Sequence, residues 1–508
     1  MKISTLLKHS SELLQIILKS QQPADLIASK YFRAKKYIGS KERKFISELV
    51  FSSIRIKILI EFLIIRNPLY CSPKLTKKTD NKKNISPSGD AHFLCLIFST
   101  LFLAHNFIEI KLFSPKKIIK KILCQENFDL NDILFEAMAF LLNESIESMQ
   151  NFADSLSNSF ASLNEEAKNI KNKHENSFEA IAQKDIETLC YRYSFPLFLF
   201  KKIFFSNYNK LSISEATDLA ESLMQSAPLT IRVNTIFSTT NKVLSYFQNL
   251  NIECEKSRLS PDGITIYKRL FLDGNDLYKN GTIEVQDDAS QLVAFAFEAN
   301  KHKTILDACA GAGGKSLHLA AINQDKLNIV SSDIEFNKLQ ELKKRVKRAG
   351  FKSIKTQLLK RKDISKSNFN PYGQTFDAIL IDAPCSGIGT VRRSPMLKYL
   401  LDEKQLSKRT KTQFEIISYY SKFLRINGIL VYSTCSILPQ ENEEIISKFL
   451  AANPHFAPDP IKPIFEGNNV FIDSLAENDY FVTLLPSKYN CDGFFIARLK
   501  KIGETYEF

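Results

Sequence analysis

The feature that most constrains this fold is an alternation of short apolar strands and helical stretches that begins near residue 286. Strands that are almost continuously apolar are covered on both faces, as in a parallel sheet with helices on each side. Residues 286–508 are therefore predicted to form a doubly wound α/β domain, with ligands bound beyond the carboxyl ends of the strands. The predicted strands cover residues 304–308, 328–332, 376–381 and 428–432.

The chain before this domain has a different character. Residues 1–165 are predicted to be helical, because apolar residues such as Phe45 and Leu49 recur at helical spacing. A polar stretch near residues 74–89, rich in Lys, Asn and Ser, interrupts this region and is predicted to be a loop. The pattern changes near Leu229, where an alternating strand, an amphipathic helix and Gly/Asp turns predict a small α+β unit.

Charge narrows the choice of partner. The 508 residues include 69 Lys and Arg against 55 Asp and Glu, a net charge of +14, which favours nucleic acid ahead of an anionic membrane surface. The longest apolar run, residues 93–104, is shorter than the roughly 20 residues of a membrane-spanning helix. The nine cysteines have no zinc-type spacing. We therefore expect a cytoplasmic protein with free thiols, no metal and no membrane partner.

A glycine-rich loop, DACAGAGGKS at residues 307–316, follows the first predicted strand of the α/β domain. Such glycines let the chain turn tightly and let a ligand lie against the backbone at a helix N-terminus. The loop completes neither the dinucleotide fingerprint nor the P-loop spacing, so a dinucleotide, another ligand and a simple strand-to-helix turn all remain open. Asp333, after the next strand, is placed to bind ribose hydroxyls, and Asp363 to contact an adenine edge, although acids also occupy turns routinely.

The last two predicted strands each end in a cysteine motif. Cys385 lies in the segment DAPCSG, and Cys435 lies in STCS. A buried cysteine is usually a small apolar side chain, but two thiols at the ligand-binding edge of a sheet favour nucleophilic chemistry. A thiolate there can attack an electrophilic carbon of a ligand base, with Pro384 fixing the turn that aims Cys385.

Together these motifs resemble those of the Sun/Fmu (Nop2-type) RNA cytosine-5 methyltransferases, which use S-adenosylmethionine. Residues 42–55 resemble the NusB-like RNA-binding domain of bacterial members that act on small-subunit ribosomal RNA. The likeness is ordered over roughly residues 186–500 and weaker over residues 1–165. The segments that resemble or are similar to the family motifs are residues 229–234, 281–292, 307–315, 382–387, 389–395 and 433–436.

The resemblance implies a NusB-like domain in residues 1–165, a small α+β subdomain in 186–285 and a Rossmann-like methyltransferase domain in 286–508. It implies methylation of carbon 5 of a cytosine in 16S rRNA, a step of rRNA processing, through a covalent cysteine–cytosine adduct. Cys435 is then the nucleophile, and Cys385 assists product release. The expected S-adenosylmethionine site consists of Cys309, Ala310, Gly311, Ala312, Gly313, Gly314, Lys315, Asp333, Asp363 and Asp382.

Three arginines are expected to contact RNA phosphates: Arg43 in the NusB-like segment, and Arg392 and Arg393 after the Cys385 loop. The basic helix around residues 343–348 is more simply a solvated face. Other readings remain open: a transfer RNA substrate, or a non-catalytic RNA-binding ribosome assembly factor, against which the two cysteines and the glycine loop together argue. A DNA cytosine-5 methylase attacks with the Pro-Cys thiol and does not require Cys435.

Overall fold

The computed structural model divides into two compact units. The helical unit comprises residues 1–226 and 391–402, and the sheet unit comprises residues 227–390 and 403–508. The structure describes residues 2–20, 22–65, 76–77, 86–87, 89–106, 130–142, 145–174, 181–205, 211–267, 270, 272–298, 301–359 and 370–504.

The helical unit confirms the helical pattern predicted for the first third of the chain. Helix α3 buries Phe45, Leu49 and Ile54 completely, which is the apolar stripe that the spacing predicts. The described elements of this unit are α1 (Ile3–Leu18), α2 (Ala24–Ala34), α3 (Ser40–Arg55), α4 (Lys57–Ile65), β1 (Thr76–Lys77), β2 (Ser86–Pro87), α5 (Gly89–Asn106), α6 (Leu130–Leu142), α7 (Ile146–Lys173), α8 (Gln183–Arg192), α9 (Leu197–Phe204) and α10 (Ile213–Met224).

Two predictions for this part of the chain have a different outcome. Most of the polar stretch at residues 74–89 lies outside the described residues, and β1 pairs antiparallel with β2 within it. The predicted subdomain at 186–285 does not coincide with a structural unit, because α8, α9 and α10 group with the helical unit. The boundary falls near residue 226, where helices give way to strands.

A small antiparallel sheet opens the sheet unit, with strand order β4-β5-β3-β6. Its core packs Ile231, Val233 and Phe247 with Ile264 and Ile283, all almost fully buried. The elements are β3 (Leu229–Val233), α11 (Thr240–Asn249), β4 (Cys254–Lys256), β5 (Gly263–Ile266), α12 (Asp276–Lys279) and β6 (Ile283–Val285).

The predicted doubly wound domain is confirmed by an eight-stranded sheet of order β12-β14-β11-β10-β7-β8-β9, with β13 paired to β14. The strands from β11 to β9 are parallel, and β14 runs antiparallel to β11. The elements are α13 (Asp288–Phe295), β7 (Thr304–Asp307), α14 (Gly314–Ile322), β8 (Asn328–Asp333), α15 (Phe336–Arg348), β9 (Ile354–Leu358), β10 (Phe376–Asp382), α16 (Leu397–Leu400, in the helical unit), α17 (Glu403–Tyr420), β11 (Leu424–Thr434), α18 (Glu443–Ala452), β12 (Phe456–Pro458), α19 (Lys462–Gly467), β13 (Phe481–Leu484), α20 (Pro486–Tyr489) and β14 (Phe494–Lys501).

The register of the parallel strands brings the sequence motifs to one edge of the sheet. Asp307 pairs with Ser331 at the end of β7, and Asp382 pairs with Ser433 at the end of β10. Carboxyl ends of parallel strands meet at the same edge. The glycine loop and both cysteine motifs therefore lie on one side of the molecule's main core.

Candidate active site

A cavity of about 410 Å³ lies at this edge of the sheet, within the size range of small-molecule sites. It is lined by side chains and backbone from the ends of four parallel strands. The lining residues include Gln286, Ser290, residues 307–312, Gly314, Lys315, residues 333–335, Lys338, residues 382–385, Ile416, Tyr420 and Cys435.

The glycine loop has the backbone that the sequence predicts. Gly311 and Gly313 adopt φ values of +54° and +81°, which L-residues with side chains rarely adopt. A Cβ at Gly313 would collide with Leu342, whereas a Cβ at Gly311 would meet nothing closer than Lys338, at 4.0 Å. The Gly311 N–H donates to Asp333 Oδ2 at 2.8 Å. Asp333 therefore shapes the loop as well as lining the cavity.

Asp307, at the end of β7, has an unusual environment for a carboxylate. Its side chain is 1% exposed, and Oδ1 has no hydrogen-bond partner among the described residues. Burial raises the pKa of Asp307 to about 7. An unpartnered buried acceptor in a cavity wall favours a ligand that brings a donor or a positive charge.

Lys315 and Asp382 form an ion pair between two neighbouring motifs. The Lys315 Nζ to Asp382 Oδ2 distance is 2.6 Å, and Ser433 donates to the other Asp382 oxygen at 3.1 Å. The ammonium also lies 5.1 Å from the centre of the Phe494 ring. These contacts order both charged groups beside the cysteines.

The two cysteines that follow β10 and β11 meet at this edge. The Cys385 and Cys435 sulfur atoms are 3.4 Å apart, and both thiols are free. The hydrogen bond with Cys435, followed by burial, raises the pKa of Cys385 well above its ordinary value, and the charge of Glu441 acts in the same direction. Cys385 is therefore held as a protonated thiol beside Cys435.

Arg232, in the segment 229–234, and Arg345, in the basic helix, both donate hydrogen bonds to the glycine loop. Arg232 Nη1 donates to the Gly314 carbonyl at 2.7 Å, and Arg345 Nη1 donates to the Ala312 carbonyl at 2.8 Å. Arg345 also pairs with buried Glu284 at 2.9 Å, and Glu284 pairs again with Arg348. The sequence signal for these supports is a charged residue within a buried strand of the small sheet, Arg232 in β3 and Glu284 in β6. The basic helix is thus partly an internal support.

The other predicted site residues are distributed unevenly. Cys309 and Ala310 line the cavity, and burial raises the pKa of Cys309 well above its usual range. Asp363 lies outside the described residues. Arg43 lies in the helical unit, where its guanidinium donates to the Ile38 and Lys36 carbonyls.

Arg392 and Arg393 also fall in the helical unit. Arg392 is 3% exposed and donates to the Ser226 carbonyl, and its own carbonyl accepts from Arg55 at 2.9 Å. This placement favours a structural role for Arg392 over the predicted phosphate contact, because a buried guanidinium cannot reach RNA. Arg393 is partly exposed, and its RNA contact stays a prediction.

The described residues contain neither a membrane-spanning helix nor a group of metal-ligating side chains. No described helix is both long and apolar enough to cross a membrane. In the same part of the chain, no three His, Cys, Asp or Glu side chains are grouped as metal ligands would be.

Two protein-family models match parts of this chain. Residues 294–500 match the family model described as 16S rRNA methyltransferase RsmB/F, and residues 208–271 match the RsmF/B-like ferredoxin-like domain. Residues 208–271 and 294–500 are therefore similar to the two domains of the RsmB/F family. The first match covers the parallel sheet with the cavity and both cysteines, and the second covers most of the small antiparallel sheet. The NusB-like character of residues 1–165 stays a prediction.

Relatives and solved structures extend the comparison. The chain is 33% identical to the probable ribosomal RNA small subunit methyltransferase B of Bacillus subtilis and 31% identical to ribosomal RNA small subunit methyltransferase B of Shewanella oneidensis. Each match covers 54% of this chain and 60% of the relative. The matched region therefore spans less than two thirds of the length of these relatives.

Two crystal structures share the fold. The protein PH0851 is 19% identical, with a TM-score of 0.66 over 99% of both chains. NSun6 from Pyrococcus horikoshii, solved with SFG, is 20% identical, with a TM-score of 0.51 over 60% of this chain and 97% of that one. These likenesses show that the chain shares the fold of both proteins.

Proposed function

We propose that this protein is an S-adenosylmethionine-dependent RNA cytosine-5 methyltransferase that modifies a cytosine of small-subunit ribosomal RNA. The observation that carries the proposal is the pair of free thiols, 3.4 Å apart, at the rim of a cavity built on a glycine loop. The names of the matched family and of its relatives support ribosomal RNA as the substrate. The net charge of +14 suits a polyanionic partner.

The cavity fits S-adenosylmethionine in three respects. The open side of Gly311 leaves room for a ligand against the backbone. Asp307 lines the cavity and has one carboxylate oxygen without a hydrogen-bond partner among the described residues. Asp333 follows the next strand, where an acid binds ribose hydroxyls in sheets of this type. When bound, the cofactor supplies an electrophilic methyl group next to the cysteines.

Carbon 5 of cytosine is a weak nucleophile, and covalent catalysis solves this problem. The Cys435 thiolate forms a bond to carbon 6 of the ring, and the electron pair of the 5,6 double bond becomes available at carbon 5. Carbon 5 would then bond to the methyl carbon of the cofactor, and the electron pair of the broken C–S bond would stay on the cofactor's sulfur. A general base removes the carbon-5 proton, and the electron pair of that C–H bond restores the double bond and expels Cys435.

Cys385 is suited to the last of these steps. Its raised pKa keeps it protonated, and its sulfur lies within hydrogen-bonding distance of Cys435. A thiol in this position can donate a hydrogen bond to the departing sulfur as negative charge develops on it. Cys385 thereby favours elimination over the persistence of the adduct.

The target base must leave its stack to reach these thiols, so single-stranded or remodelled RNA is the expected substrate. Lys315 and Asp382 lie beside the cysteines and present a donor and an acceptor toward an entering base. Their ion pair orders both groups before the base arrives. This arrangement reduces the entropy cost of holding the ring for attack.

The proposal is tested by incubating the purified protein with labelled S-adenosylmethionine and three substrates: a 16S rRNA transcript, bulk transfer RNA and duplex DNA. Nucleoside analysis by mass spectrometry then identifies the product. We expect 5-methylcytidine in the 16S rRNA transcript only. Label in transfer RNA alone would change the substrate class, and 5-methylcytosine in DNA alone would overturn the RNA assignment.

A further inference from the structure

A buried carboxylate lies directly behind the Cys385 loop. Glu441 is completely buried and accepts a hydrogen bond at 2.7 Å from the Ser386 backbone N–H. Its other oxygen accepts from the Ser386 hydroxyl. Glu441 thus holds the residue next to Cys385 by both its backbone and its side chain.

The same carboxylate is linked to the residue on the other side of Cys385. Gln413 on α17 donates to Glu441 at 3.1 Å and to the Pro384 carbonyl at 3.1 Å. The loop around Cys385 is therefore fastened at both flanking residues. Ser386 contacts Glu441 directly, and Pro384 is connected to Glu441 through the Gln413 side chain.

Among the described residues, the side chain of Glu441 has no cationic hydrogen-bond partner. Its donors there are the neutral Ser386 N–H, the Ser386 hydroxyl and the Gln413 amide. Burying a carboxylate without a counter-charge costs free energy that a simple packing role does not require. Its negative charge also favours the protonated state of Cys385, as the raised pKa of that thiol reflects.

The next residue, Asn442, holds the other cysteine loop. Its Oδ1 accepts from the Thr434 hydroxyl at 2.6 Å, and its Nδ2 donates to the Ser436 carbonyl at 3.0 Å. Thr434 and Ser436 flank Cys435 in the chain. Like Glu441, Asn442 is completely buried. Two consecutive residues thus fasten the two cysteine loops separately.

We propose that Glu441 and Asn442 are positioning residues that set the relative placement of the two thiols, Glu441 acting on Cys385 and Asn442 on Cys435. This inference rests on the proposed methyltransferase function. It assigns different steps to neighbouring residues: Glu441 supports release of the methylated base, and Asn442 supports the initial attack. Neither residue touches the substrate in this role.

The test separates attack from release with two versions of one 16S rRNA transcript. In a transcript with 5-fluorocytidine, the methylated adduct has fluorine instead of hydrogen at carbon 5, so no base can remove it and the adduct accumulates. Its rate of formation on a denaturing gel measures attack. With ordinary cytidine, the steady-state fraction of adduct and the turnover rate together measure release.

For Glu441→Gln we expect turnover to fall about ten- to a hundredfold, the loss expected for hydrogen bonds to a charged group. Adduct should accumulate on ordinary RNA, while attack on the fluorinated transcript stays within about threefold of wild type. For Asn442→Ala we expect slow attack on the fluorinated transcript and no accumulation on ordinary RNA. Ser386→Ala should resemble Glu441→Gln, and the double variant should be no worse than Glu441→Gln alone, because both act through one contact.

Glu443→Gln is the matched control, because Glu443 is also buried and lies two residues away but contacts Thr483 instead. If this control reproduces the Glu441→Gln phenotype, or if Glu441→Gln slows attack and release equally, the inference is wrong. Should the wild-type protein form no adduct with the fluorinated transcript, the proposed function itself fails. Ser386→Ala keeps the test decisive if Glu441→Gln does not fold.

Discussion

The loops that carry Cys385 and Cys435 have similar positions in the sheet and similar local sequences. Each follows a buried strand of the parallel sheet, the two strands are neighbours, and in each loop the cysteine precedes a buried serine. Their supports differ. Side chains that hold the Cys435 loop come from within eight residues, through Thr434, Ser436 and Asn442. The Cys385 loop is held by Gln413, which is 29 residues from Pro384, and by Glu441, which is 55 residues from Ser386.

This difference bears on what each thiol can do. The Cys435 loop takes its side-chain hydrogen bonds from nearby residues, which suits a nucleophile, and its carbonyl also accepts a bond from the Gly389 N–H. A loop held by remote groups depends on α17 and on the segment before α18, so its environment can differ from that of its neighbour on the same sheet edge. Glu441 places negative charge behind Cys385, whereas the nearest equivalent behind Cys435 is the neutral Asn442. Similar local motifs thereby acquire different roles.

The largest expected effect comes from exchanging the two thiols for alanine. Cys435→Ala should abolish methyl transfer and form no adduct, because the attacking atom is gone; losses of several orders of magnitude are usual for a removed nucleophile. Cys385→Ala should still attack but release poorly, and a protein–RNA complex should accumulate on a denaturing gel. The reverse pattern, with adduct only in Cys435→Ala, would exchange the two roles.

A substitution at Asp333 tests the glycine loop separately from the two cysteine loops. Asp333→Ala removes the acceptor for the Gly311 N–H and the expected ribose contact, so affinity for S-adenosylmethionine should fall about ten- to a hundredfold in calorimetry. Asp325→Ala is the control, since Asp325 also accepts from two backbone amides but lies outside the cavity lining. Equal losses in both variants would remove Asp333 from the site.

Gly389 provides a test of the contact between the two loops. Its N–H donates to the Cys435 carbonyl at 3.0 Å, and an added Cβ would collide with the Gly493 carbonyl. We expect Gly389→Ala to lower the free energy of unfolding by about 1–3 kcal/mol and to reduce adduct formation. Gly274→Ala, with open space around the added Cβ, should change stability by less than about 0.5 kcal/mol. Denaturant unfolding measures both, and wild-type stability of Gly389→Ala would contradict the close packing.

The smallest expected effect concerns the hydrogen bond between the thiols. That bond raises the pKa of Cys385, so removing it in Cys435→Ala should lower this pKa, expose more thiolate at a given pH and shift alkylation of Cys385 to lower pH. The shift relative to the wild-type protein should not exceed about one unit, since a neutral hydrogen bond contributes roughly 1 kcal/mol. Peptide mass spectrometry after iodoacetamide treatment follows the reaction. Identical pH profiles would show that Cys435 does not control the thiol.

The sequence alone was sufficient for the parallel sheet, the glycine loop and the positions of Cys385 and Cys435. Apolar runs mark buried strands, and glycines mark turns with positive φ, because these properties depend on a few adjacent residues. Since parallel strands end at a common edge, the order of motifs also predicts that Asp333, Asp382 and both cysteines converge. The sheet of residues 286–508 and the edge at which its motifs meet therefore follow from the sequence.

Tertiary structure alone decided the rest. The burial of Arg392, the support of the glycine loop by Arg232 and the contact of Glu441 with Ser386 have no local signature. A buried polar group must find a partner, but that partner can lie anywhere in the chain that folding brings within about 3 Å. Arg232 and Gly314 are separated by 82 residues, and Glu441 and Ser386 by 55. Local patterns predict which apolar groups are buried, and only the packed fold selects the partners of the buried polar groups.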